Sequence, residues 1–274
     1  KYAQDFMDNF STAKSPQQIL GVLSKTYYAE KMGIDPSKIF MVSVMPCTAK
    51  KYEISRSETM FASGYQDIDV SITTRELARM FKSTGIDFTH LEKEAADSIL
   101  GDYTGAGTIF GVTGGVMEAA LRTAYCLITG DARPPSINFE SVRGMEGVKE
   151  AEIDIKGTKV RIAVAHQMGN VEQVLNAVRE DRKAGRKPRY DFIEVMACRG
   201  GCVGGGGQPT GATDAVRKAC TAGIYADDEK CAIRMSHLNP QVQKLYADYI
   251  GEPLSEKAHK LLHNHYHRQK PYAK

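Results

Sequence analysis

The sequence predicts an α/β fold, and three observations carry that prediction. Apolar runs of strand length alternate with segments whose apolar residues recur at helical spacing. Two of the strand-like runs, residues 38–47 and 190–195, stop abruptly at a cysteine-bearing loop. Glycine-rich stretches, at 101–115 and 200–207, fall between the periodic segments rather than inside them.

In chain order, residues 15–31 read as a helix, with Ser15 at the cap, Pro16 at the first helical position and Gly33 as the stop. Residues 38–47 (KIFMVSVMPC) form a continuous apolar run, which predicts a strand buried on both faces and ended by Pro46. A short strand at 70–73 leads into a helix from Thr74 to Lys82, stopped by Gly85. Residues 101–115 look like loop, and the segment after Val116 is helical up to Gly130. A turn at Lys156-Gly157 separates two strands, 152–155 and 158–166, and an amphipathic helix follows to Lys183. After the basic connector KAGRKPR comes the strand 190–195, then helices at 212–222 and 240–250 and a His-rich tail.

The 274 residues, 42% hydrophobic and 25% charged, support a sizeable core in one large domain or two compact ones. Thirty-six basic against 33 acidic residues give a net charge of +3, too mild to imply nucleic acid or a membrane surface as partner. No run of about 18 apolar residues predicts a membrane span. The opening KYAQDFMDNF has neither a signal-peptide core nor an initiating Met, so a processed or truncated chain is expected. Six cysteines are too sparse for a disulfide scaffold and point to a reducing, cytoplasmic setting.

The chemistry gathers in two loops. Cys198 and Cys202 lie four apart, with six glycines (200, 201, 204, 205, 206 and 207) between and after them. That many glycines would ruin a helix or strand. They suit a backbone that wraps a bulky inorganic object and turns its amides towards sulfur, and paired thiolates are the usual iron–sulfur ligands. A zinc site needs a second ligand pair at knuckle spacing, for which only Cys220 and Cys231 are at hand. A dithiol redox motif would favour C-x-x-C, and inert cysteines in a structural loop remain a further alternative. In the first loop Lys50 follows Cys47 by three residues, with Glu53 in reach as a charge partner. Met45 and Met196 each stand two residues before a cysteine, as soft cofactor walls or as plain core residues.

MPCTAKKYE (45–53) and EVMACRGGCVGGGGQP (194–209) resemble the second and third signature motifs of the FeFe (iron-only) hydrogenases. STAKSPQQ (11–18), TTRELARM (73–80) and FGVTGGVMEAALRTAY (110–125) also resemble that family's catalytic domain, and EPLSEKAHKLLHNHYH is similar to its small-subunit-like terminal segment. The resemblance implies a two-lobed α/β catalytic domain over residues 1–239, with the cluster between the lobes, its N-terminal part missing from this chain, and a tail at 240–274. It implies an H-cluster, a 4Fe-4S cube joined through a cysteine sulfur to a diiron unit with CO, cyanide and azadithiolate. By position, Cys47, Cys198 and Cys202 would ligate the cube, and Cys202 would bridge to the diiron unit. Lys50 would hydrogen-bond a cyanide with Glu53 behind it, and Met45 and Met196 would flank the carbonyls. Pro16, Gln17, Phe110 and Gly111 would be walls, Gly204, Gly205 and Gln208 would bind the cofactor, and Ser11 would serve proton transfer.

The implied activity is reversible oxidation of H2 to protons and electrons, with a ferredoxin-type carrier or redox subunit as electron partner. The family's paired-cysteine first signature, which carries the fourth cube ligand, is absent, so function is expected only with the remaining N-terminal part of the hydrogenase, on this or a separate chain. The alternative is a hydrogenase-like iron–sulfur protein used in cluster assembly or H2 sensing. Cys126, Cys220 and Cys231 read as small buried hydrophobes, His166 as a structural imidazole, and the histidines at 259–267 as part of a docking tail rather than a metal site.

Overall fold

The computed structural model describes residues 3–97, 101–131 and 138–268; the last six residues of the expected tail, 269–274, lie outside them. The chain divides into two compact units. One comprises Lys1–Gly101, Gly207–Pro209 and Pro240–Lys274, the other Asp102–Gly206 and Thr210–Asn239.

The first unit opens with α1, Pro16–Leu23, which carries Pro at its first turn as expected. The helix continues through a π turn, Ser24–Tyr28, into α2, Ala29–Met32, and ends at Gly33 with φ +65°. The widened turn has a local cause. Ser24 and Thr26 donate their hydroxyls back to the carbonyls of Leu20 and Val22, at 2.8 and 2.7 Å, which competes with the helical ladder.

The run 38–47 departs from expectation. Pro36–Lys38 is a 3-10 turn, and the strand β1 is only Val42–Met45. It is not buried on both faces: Val42 and Val44 are 47% and 44% exposed. Among the described residues β1 has a single partner, the parallel strand β2 (Val70–Thr73), in the register Val42↔Val70 to Met45↔Thr73. On the Ser43 side, Ser43 Oγ donates to Gln17 Oε1 of α1 at 2.8 Å. Between the strands lies the short helix α3, Lys50–Glu53, and after β2 comes α4, Thr74–Ser83. Thr73 and Glu76 close a capping box at its start, with Glu76 N to Thr73 Oγ1 at 3.2 Å and Thr73 N to Glu76 Oε2 at 2.7 Å.

In the second unit the expected loop 101–115 contains a helix, α5 (Gly105–Thr108), followed by a 3-10 turn, Ile109–Gly111. Gly101 and Gly114 turn the chain, with φ of +93° and +90°, while Gly105 and Gly115 serve close approach. A Cβ on Gly105 would stand 2.0 Å from Asp228 Oδ1, and one on Gly115 1.6 Å from Ile109 O. α6 (Gly115–Thr129) precedes the hairpin of β3 (Val148–Ile155) and β4 (Thr158–His166). α7 (Met168–Lys183) returns the chain to β5, Phe192–Met196. The sheet order is β3-β4-β5, antiparallel then parallel, and it aligns His166 with Met196. Met117, Leu121, Val142, Ile162 and Val164 form the core between α6 and this sheet.

α8 runs from Asp214 to Lys230, beyond the expected stop near 222, because its last turn is anchored. Asp228, fully buried, accepts from Arg122 at 2.7 and 2.8 Å and from Arg234 at 2.6 Å. Arg122 also reaches Glu118 at 2.9 Å, which Arg143 holds from the other side. The basic connector is exposed, as its composition suggests, and its Arg186 and Arg189 both pair with Asp181 at 2.8 Å. Cys126 is buried as expected, but Cys220 is exposed and Cys231 half-buried; both sit on or beside the outward part of α8.

The chain re-enters the first unit as α9 (Pro240–Leu245), a π turn (Tyr246–Ile250) and α10, Glu256–Leu262, which Ser255 caps. Leu245, Ile250 and Ala258 pack on Leu23. Past α10, His263 Nδ1 meets Thr12 Oγ1 at 2.7 Å, so the tail docks next to Ser11.

Candidate functional site

In the first unit, β1 delivers Met45 and Cys47, both half-buried, to the start of α3. Lys50 and Glu53 face each other across that single turn, with Nζ to Oε2 at 2.6 Å. The same Oε2 accepts from Ser15 Oγ at 2.9 Å and Gln17 Nε2 at 3.0 Å. Ser15, expected to cap α1, is thus spent on Glu53 instead. Gln17, expected as a wall, has its amide fully engaged by Glu53 and Ser43. One carboxylate therefore fixes an ammonium, a hydroxyl and an amide beside Cys47. Pro16 and Ser11 are exposed, and Ser11 O accepts from the Tyr266 hydroxyl at 2.8 Å.

The end of the glycine-rich loop belongs to this unit as well. Gly207 N donates to Pro46 O at 2.9 Å, and a Cβ there would lie 2.8 Å from Cys47 N. Only glycine allows that approach. Arg75, at the start of α4, holds the segment from the other side: its backbone N–H reaches Gly207 O at 3.2 Å and its Nη1 reaches Gln208 O at 3.1 Å.

In the second unit β5 ends at half-buried Met196 and the chain turns through Cys198 to the 3-10 turn Cys202–Gly204. Gly200 and Gly201 have φ of +76° and +90°. Thr113 N donates to Gly200 O at 3.0 Å, and a Cβ on Gly201 would stand 2.7 Å from Thr113 N. The cysteine loop thereby lies on the segment that follows Phe110 and Gly111, themselves half-buried. His166 supports it from below. Its Nδ1 accepts from Gly200 N at 3.4 Å and its Nε2 meets the carbonyl of Met145 at 3.2 Å, so the ring is the neutral Nε2–H form. Burial first, then the charges of Lys149 and Arg199, pull its pKa below the usual histidine value. Gln167 adopts φ +66°, rare for a residue with a side chain, and donates its N–H to Met196 O at 2.9 Å.

Glu194, two residues before Met196, is the main side chain that sequence reasoning missed here. It is buried, and its two oxygens accept from Gly114 N at 2.6 Å and Met117 N at 2.7 Å at the N-terminus of α6. Burial raises its pKa, opposed by these amides and by Lys149. Lys149, itself buried and pushed down to about 8, donates to Gly144 O at 2.9 Å. Among the described residues, no three His, Cys, Asp or Glu side chains converge as a single-ion site requires. An iron–sulfur cube spreads its thiolates over separate irons, so it asks for no such convergence.

Residues 1–206 match the family described as iron only hydrogenase large subunit, C-terminal domain. The chain belongs to the iron-only hydrogenase family. Residues 214–269 match iron hydrogenase small subunit. The chain is 49% identical over 266 residues to the NADP-reducing hydrogenase subunit HndD of Solidesulfovibrio fructosivorans, covering 97% of this chain and 44% of that protein. It is 30% identical over 271 residues to protein NAR1 of Arabidopsis thaliana, covering 94% of this chain and 56% of that one. The solved [FeFe]-hydrogenase HydA1 from Chlamydomonas reinhardtii superposes with a TM-score of 0.79 at 39% identity, over 97% of this chain and 72% of that one. The mixed α/β architecture is therefore the family's own. The chain spans about half the length of the curated hydrogenases it matches. No helix among the described residues is long and apolar enough to cross a membrane.

Proposed function

We propose that this chain forms the metal-centre-bearing part of an FeFe hydrogenase, which interconverts 2H⁺ + 2e⁻ and H2. The observation that carries the reading is the Lys50 ammonium, fixed by Glu53 within one turn of a half-buried cysteine. An oriented ammonium suits an anionic ligand such as a metal-bound cyanide, and a plain structural cysteine has no use for it.

The donor chemistry fits an H-cluster. Soft thiolates at Cys47, Cys198 and Cys202 suit iron, while the Gly204 and Gly205 amides, expected to face sulfur, donate instead to the carbonyls of Gly201 and Cys202 at 3.0 and 2.9 Å. In this reading Cys47, Cys198 and Cys202 would be the cysteine ligands of the cluster. When bound, the H-cluster supplies the splitting of H2 and the redox chemistry. Lys50 would hold the cyanide end, aimed there by Glu53. Met45 and Met196 exclude water with thioether walls. Pro16 and Gln17 in the first unit and Phe110 and Gly111 in the second would each serve as cofactor walls, Gln208 steadies the loop end against Arg75, and Ser11 would serve proton transfer. The fourth cysteine would come from the remaining N-terminal part of the hydrogenase, electrons would pass to a ferredoxin-type carrier, and the free thiols suit the cytoplasm.

The test is infrared spectroscopy and H2 uptake on the matured protein joined to that N-terminal part. Bands of bound CO and cyanide and measurable uptake are expected, and Cys202→Ser should abolish both. Retained uptake in Cys202→Ser would overturn the assignment. Similarity to NAR1 favours a second reading, an iron–sulfur protein without hydrogenase activity; iron binding with no CO or cyanide bands would select it.

A further inference from the structure

The loop between Cys198 and Cys202 is held by charges from α8. Asp214, the first residue of that helix, accepts from Arg199 Nε at 2.8 Å, from Arg199 Nη2, and from Arg217 Nη1 at 2.9 Å. Arg199 Nη1 also reaches Gln167 Oε1 at 3.2 Å. Two guanidinium groups thus share one carboxylate, which leaves the trio with an excess positive charge.

Arg217 is the deeper of the two, with a side chain 19% exposed against 43% for Arg199. Its Nε lies 3.0 Å from where a Cβ on Gly204 would stand, and its Cδ 3.7 Å from that of Gly200. These two glycines bracket Cys202. The Nε is buried and has no hydrogen-bond partner among the described residues. A buried N–H left open is uncommon in a folded protein, and it marks a place where an acceptor belongs.

We propose that Arg217, with Asp214 and Arg199, is a positioning residue that sets the reduction potential of an iron–sulfur centre held by Cys198 and Cys202. The inference rests on the reading of those cysteines as ligands. Hydrogen bonds and net charge around the sulfurs are principal levers on such potentials. A positive charge packed on the turn favours the reduced state, which carries one more electron, and Asp214 tempers that effect.

The experiment is a spectroelectrochemical titration of the iron-loaded protein, completed with the segment that supplies the fourth cysteine. Arg217→Met should move the potential to more negative values, changing the oxidised-to-reduced ratio at fixed potential by about threefold or more. Arg217→Lys, which keeps the charge, should recover most of the shift. Asp214→Asn removes a negative charge and should move the potential the opposite way. Loosening of the loop alone would shift both variants in one direction or in neither, and either result overturns the inference. If the wild type loads no iron, the reading of the cysteines falls and the inference with it. If it loads iron and the three variants titrate like the wild type, only the inference falls.

Discussion

Removal of the Glu194 carboxylate should loosen the strand end that leads to Cys198. The side chain spans from β5 to the first turn of α6, where it accepts two backbone N–H groups at 2.6 and 2.7 Å. Hydrogen bonds to a charged group contribute about 1.5–3 kcal/mol each, and buried amides left without a partner carry the full desolvation penalty. The cost of burying the carboxylate, seen in its raised pKa, offsets part of this gain. The net loss expected for Glu194→Ala is about 3 kcal/mol. Glu194→Gln presents one carbonyl oxygen in place of two, which leaves an NH2 facing a backbone N–H, so it should lose about 2 kcal/mol. With a urea slope of about 2 kcal/mol per molar, the midpoints should fall by about 1.5 and 1 M. Equilibrium urea unfolding followed by circular dichroism measures both. A glutamine variant that unfolds with the wild type, or an alanine variant within about 0.5 M of it, would refute the role assigned to these bonds.

Two further outcomes follow from the same geometry. Gly201→Ala combines a positive φ with a Cβ 2.7 Å from Thr113 N and 2.8 Å from Val112 C, and should cost about 2–4 kcal/mol in urea unfolding; a loss below 1 kcal/mol would mean that the loop yields more readily than this contact implies. In the first unit, burial pushes the Asp67 carboxyl up to about 6, although Lys14 stands 3.6 Å away. Between about pH 4 and 6 the folded chain then keeps a proton that the unfolded chain has released, so stability falls as pH rises through that window. The stability of wild type relative to Asp67→Asn, from urea titrations at successive pH values, should decline from pH 4 to 6 and level off above; a flat difference would contradict the raised carboxyl.

Much of the site was legible because its chemistry demands particular residue types at close spacing. Cys47, Lys50 and Glu53 lie within seven consecutive residues, and Cys198 and Cys202 within one loop, so short-range pattern suffices to find them. Their supports were not legible. Ser15 and Gln17 reach Glu53 across more than thirty residues, and Arg75 reaches Gln208 across 133. Glu194 looked like an ordinary strand glutamate until its partners at Gly114 and Met117 were in view.

The sequence by itself determined the alternation of strands and helices, the chain stops at Gly33, Gly85 and Gly130, and the cysteine-bearing strand ends, because periodicity, backbone freedom and ligand type are properties of neighbouring residues. Tertiary structure decided the rest. It left Val42 and Val44 exposed by giving β1 a single partner among the described residues. It turned Gly105 and Gly115 from loop formers into contact points. It also buried Arg122 among Glu118, Asp228 and Arg143. Burial and ion pairing depend on which distant surfaces meet, and no window of adjacent residues contains that information.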